Sequence, residues 1–88
     1  MFRLRWHQDA VSNLATFWTD SDSELRRQIT EASRELDIRL QRNPLTEGES
    51  REGDHRILFL PPLVVEYRVD QVDQVVYVLN IRLITPRN

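Results

Sequence analysis

Five side chains in the C-terminal half of this 88-residue chain have the types from which phosphodiester chemistry is assembled: His55, Arg56, Glu66, Arg68 and Arg82. Internal cleavage of a ribonucleotide chain needs a base for the 2′-hydroxyl, cations for the charge developing on phosphorus, and an acid for the leaving oxygen. Arg56, Arg68 and Arg82 supply charge, and His55 or Glu66 supplies proton transfer, with Arg56 and Arg82 the candidate catalytic pair. The competing reading is structural. Glu66 pairs with Arg68, or across strands with Arg82, as a surface ion pair worth about 0–1 kcal/mol. All twelve basic residues are Arg, first of all a coding bias, although the guanidinium also suits two-point contacts to carboxylate or phosphate.

Other chemistries lack their residues. No cysteine is present, so disulfides and thiolate metal sites are excluded. His7 and His55 stand far apart without ligand spacing, and no metal is expected. The serines sit in no nucleophile motif. With two glycines the chain holds neither a phosphate loop nor a dinucleotide fingerprint, and no small-molecule cofactor is expected. A net charge of −2 gives no global attraction for a phosphate backbone, which leaves only a local basic patch for that purpose.

The elements that must position these residues begin with a meander of three strands, His55–Leu60, Leu63–Val69 and Gln74–Ile84. They are rich in Val, Ile, Leu, Phe and Tyr. Pro61-Pro62 cannot continue a hydrogen-bonded ladder, and connections this short make the neighbours antiparallel. Alternation puts Leu63, Val65, Tyr67 and Val69 on one face, with Val75, Tyr77, Leu79, Ile81 and Leu83. Val64, Glu66, Arg68, Asn80 and Arg82 take the other, which reads as a sheet covered by helices on one side and open on the other. Arg56 is assigned to the open face, and both tyrosines to the core or its rim.

Ahead of the meander, Phe2, Leu4 and Trp6 alternate with Arg3 and Arg5, the pattern of a short strand with its arginines toward water. Ala10, Leu14, Phe17 and Trp18 then recur at helical spacing, with Asp9 as N-cap and both tryptophans directed at the core. Ser21 and Glu24 have the spacing of a capping box. Beyond them Leu25, Ile29, Ala32, Leu36 and Leu40 form one stripe along a helix of about five turns. Asn43-Pro44 stops it. Leu45 to Gly53 reads as a polar loop. The length fits one domain over 1–88. The N-terminus lacks the apolar core of a signal peptide and no run is long enough to span a membrane, so a cytoplasmic protein is expected.

This order resembles the RelE/ParE superfamily of bacterial toxins from type II toxin-antitoxin systems. The resemblance covers nearly the whole chain. It rests on Trp6 and Ala10 at the entry to the first helix, on Asn43-Pro44-Leu45 before a loop with Gly48, and on Val65-Glu66-Tyr67-Arg68-Val69-Asp70 followed by Val75-Val76-Tyr77-Val78-Leu79. It implies an α+β, two-layer fold of order β-α-α-β-β-β, with a curved antiparallel sheet, the first strand beside the last, and both helices on one face. It further implies a toxin, or a descendant of one, that an antitoxin peptide binds and neutralises. The binding face would comprise Arg56, Val64, Glu66, Arg68, Asn80 and Arg82. Two further readings accompany it: a ribosome-dependent mRNA endoribonuclease, and a non-enzymatic binder such as an inhibitor of DNA gyrase or an inert toxin-fold protein. In the ribonuclease branch an arginine stands where this chain has Val64, and a tail tyrosine is common where this chain has none.

Overall fold

The computed structural model describes residues 1–84. In chain order the elements are β1 (Arg3–Trp6), α1 (Gln8–Thr19), α2 (Ser23–Arg42), α3 (Pro44–Glu47), β2 (Glu49–Ser50), β3 (His55–Leu60), β4 (Leu63–Asp70) and β5 (Val75–Leu83). The five strands make one sheet in the order β1-β5-β4-β3-β2. The first strand does lie beside the last, but the two run parallel, so the sheet is mixed. A parallel pair needs a long crossover, and everything from α1 to β4 supplies it.

The two long helices start from caps other than those expected, two residues earlier in α1 and one residue later in α2. The His7 side chain, and not Asp9, accepts the amide of Asp9 at 3.1 Å. Asp9 instead occupies the first turn, where its charge complements the helix dipole. In α2 the cap is Asp22, whose carboxylate accepts from the Leu25 amide at 2.9 Å, while the Ser21 hydroxyl donates back to the Phe17 carbonyl. The expected stripe is otherwise in place: Ile29, Ala32, Leu36 and Leu40 are buried, and Leu25 is half-buried at its margin. They form one core with Leu63, Val65, Tyr67 and Val69 of β4 and with Val76, Val78 and Ile81 of β5.

Asn43 ends α2, and the residues after it are not an open loop. Pro44 opens the single turn α3 and is buried, and the two-residue β2 pairs with Arg56 and Ile57 of β3. Gly53, at φ +68°, takes the left-handed conformation before β3. The β3–β4 turn is Pro61-Pro62, a cis peptide. Between β4 and β5 the Asp70 side chain accepts from the Asp73 amide, and Gln74, expected in the strand, closes the turn at φ +58°.

A bulge changes the expected face of half of β5. Glu66 lies opposite Asn80 but Tyr67 lies opposite Val78, so Leu79 is the extra residue. Ile81 and Leu83 keep the helix-covered face. Before the bulge the parity reverses: Val76 and Val78 turn inward, and Val75 and Tyr77 take the open face with Asp70 and Arg68. Leu79 itself is only half-buried. No helix among the described residues is long and apolar enough to cross a membrane.

Candidate functional site

The open face is built by the register of four strands. Arg5 of β1 lies opposite Tyr77 of β5, Tyr77 opposite Arg68 of β4, and Arg68 opposite His55 of β3. Neighbouring strands are about 4.8 Å apart, so the row spans roughly 14 Å across the sheet. The Arg68 guanidinium stacks 4.5 Å from the centroid of the Tyr77 ring and pairs with Asp54 at 3.6 Å. His55 Nδ1 approaches Glu66 Oε2 at 3.5 Å, with both side chains about two-fifths exposed. The row offers two guanidiniums to an anionic ligand, one of them stacked on the Tyr77 ring, and a His–Glu pair to a proton.

The five expected members on this face are distributed along it. Glu66 and Arg68 belong to the row or its edge. Val64 is directly opposite Arg82, two register positions beyond the Glu66–Asn80 pair. Val64 is buried although it faces outward, and Arg82 is exposed. Asn80 accepts a hydrogen bond from the Asn13 side-chain amide at 2.9 Å, which ties this part of β5 to α1. Arg82 stands five residues along β5 from Tyr77, about 16 Å at the usual strand rise.

Arg56 is not on the open face. It lies opposite Tyr67, whose side chain points into the helix-covered core, so the two share that face. Its Nη2 donates to the Gly48 carbonyl, and its Nε is buried without a partner. The cause is the hairpin: a two-residue turn that pairs Leu60 with Leu63 also pairs Arg56 with Tyr67. Arg56 and Arg82 therefore lie on opposite faces and cannot hold one phosphate. Tyr77, expected in the core or at its rim, is on the open face. The members missed in the sequence are Arg5 and Tyr77. The signal for Arg5 was its alternation with Leu4 and Trp6, read together with a first strand placed beside the last. The bulge that exposes Tyr77 leaves no such mark.

Trp18, expected in the core, is 45% exposed. Arg26 stacks on its ring at 4.5 Å and donates to the carbonyls of Trp18 and Thr19, which fastens the turn between α1 and α2. Beside it a cleft of about 550 Å³ opens between the two helices, lined by Trp6, Val11, Leu14, Ala15, Trp18 and Ile29. Apolar clefts of this size are the usual seats of ligands and partner segments. Among the described residues no group of three His, Cys, Asp or Glu could hold a metal ion. The absent tail tyrosine concerns Thr85–Asn88, which lie outside the described residues.

The fold has solved counterparts. The ParDE toxin-antitoxin system of P. aeruginosa aligns with a TM-score of 0.73 and 20% identity, covering 97% of this chain and 98% of that one. The RelBE2 toxin-antitoxin complex of Mycobacterium tuberculosis also gives 0.73, at 21% identity over 93% and 96% of the two chains. The isolated RelE toxin of E. coli gives 0.67, at 18% identity over 100% and 89%. The sequence matches no protein-family model and no curated protein. Full-length superposition at such low identity establishes that the chain has the α+β fold of the RelE and ParE toxins.

Proposed function

We propose that this chain is the toxin component of a type II toxin-antitoxin module, or a descendant of one, and that an antitoxin peptide binds and neutralises it. The observation that carries this reading is the superposition over nearly the whole of both chains on toxins solved in complex with their antitoxins. The E. coli RelE toxin has also been solved with a peptide of its antitoxin, at a TM-score of 0.64 to this chain. The exposed apolar side chains Val11 and Trp18 beside the cleft of α1 and α2 support it, because a partner segment would remove them from water. Calorimetry with the product of a short reading frame found beside this gene tests the reading. Submicromolar affinity with a marked negative heat-capacity change is expected, and absence of binding argues for a repurposed fold.

A ribosome-dependent mRNA endoribonuclease is the second reading, favoured by the row Arg5–Tyr77–Arg68–His55 with Glu66 beside it. It relocates the chemistry from the pair Arg56 and Arg82 to this row. His55 and Glu66 serve as proton carriers, and Arg5 and Arg68 as cations for the phosphate. In that case Arg68→Ala lowers cleavage by about two orders of magnitude, the usual loss on removing an oxyanion donor, and Arg56→Gln leaves the cut itself unchanged. A binder directed at DNA gyrase would show no cleavage with either protein.

A further inference from the structure

The helix-covered face of the sheet carries one guanidinium, at the end where α2 has already stopped. Arg56 is half-buried there, with Nη2 on the Gly48 carbonyl and Nε buried without a partner. Among the described residues it forms no ion pair. Three of the acids on the segment that covers it are engaged elsewhere, Glu47 with Arg39 at 3.7 Å, Glu49 with Arg51 at 3.2 Å, and Asp54 with Arg68 at 3.6 Å, and the fourth, Glu52, is exposed and makes no ion pair with Arg56. A partly desolvated charge without a counter-ion is costly, and a buried donor without an acceptor adds to that cost.

Arg56 also lines a cavity of about 240 Å³, with Leu45, Ser50, Asp54, His55, Val69 and Gln71 among its walls. Leu45 is 41% exposed and Val69 is buried, so an apolar wall adjoins the guanidinium. We propose that this cavity is a carboxylate subsite that takes an acidic side chain of a peptide partner, with its methylenes against Leu45 and Val69 and Arg56 as its counter-charge. Asp54 in the wall disfavours a doubly charged phosphate and tolerates a single negative charge beside the arginine. Guanidinium and carboxylate are matched in shape and hydrogen-bonding capacity. That the peptide belongs to an antitoxin rests on the reading above; the subsite itself does not.

The test follows arginine Nε–H resonances of the full chain by NMR, at ionic strength held constant with chloride. The probes are N-acetylglutamyl methylamide, its neutral glutaminyl counterpart, and acetate. Saturable movement of one resonance, absent in Arg56→Gln, is expected with the glutamyl probe and not with the glutaminyl one. Should Arg56→Gln fail to fold, Gln71→Glu places a carboxylate of the chain's own at the cavity and weakens the probe at least tenfold. Gln8→Glu, an equal charge change on α1, leaves it unaltered. Acetate at least tenfold weaker than the glutamyl probe assigns the site to a peptide side chain, whereas equal affinity overturns that assignment. Equal response to the neutral probe, or full binding in Gln71→Glu, overturns the subsite.

Discussion

Tyr67 uses one hydroxyl to fasten the segment that follows α2 onto the sheet. It donates to the Pro44 carbonyl at 2.7 Å and accepts from the Gly48 amide at 3.0 Å, with the ring fully buried. Tyr67→Phe leaves both backbone groups without their partner and is expected to cost about 1–3 kcal/mol in denaturant unfolding. Burial raises the phenol above its ordinary value of 10.0, against a smaller opposing effect of Arg56. A raised pKa means that the contribution is complete below the unfolded value near 10 and is lost as pH climbs toward the folded value. Alkaline titration of stability should therefore fall more steeply in the wild type than in Tyr67→Phe. Gly48 is fixed by the same contact: a Cβ there would lie 2.7 Å from the Tyr67 hydroxyl and 2.8 Å from the Ile57 carbonyl. Gly48→Ala must shift backbone and is expected to cost about 1–3 kcal/mol, the usual range for overpacking. Residue identities alone do not reveal such a clasp. Its partners are carbonyls and amides brought from 19 and 23 residues away.

The elements were legible wherever periodicity was uninterrupted. The α2 stripe, the Asn43-Pro44 stop and the inward face of β4 follow from spacing alone, and Leu36→Ala should cost about 2–5 kcal/mol by thermal or chemical unfolding. Arg56 was also within reach, since a two-residue turn after Leu60 fixes its register opposite Tyr67; treating β3 by its own alternation lost that constraint. Tyr77 was not within reach. One extra residue in β5 reverses the faces of everything before it, and Leu79 has no composition that announces a bulge. Trp18 escaped the core for another reason. The helical spacing that selected it also fits the margin of the stripe, where Arg26 covers the ring. On the cleft between α1 and α2, Val11→Asp should leave stability within about 0.5 kcal/mol, as exposed positions usually do, and weaken antitoxin binding measured by calorimetry.

At the scale of the molecule, the sheet divides two kinds of surface. One side carries the helices and the apolar cleft, and the other carries the row Arg5–Tyr77–Arg68–His55, while the Arg56 cavity lies where the two meet and shares His55 with the row. The cleft between α1 and α2 is therefore remote from the row, and substitutions in the one should leave the other undisturbed. Growth of a bacterial host on induction is the decisive measurement, with this chain alone and with the product of a short reading frame found beside its gene. A toxin of this kind arrests growth when expressed alone, growth is restored on co-expression, and the two proteins copurify as a complex. Vigorous growth at verified high levels of the folded chain, together with no complex on co-expression, would contradict the toxin reading.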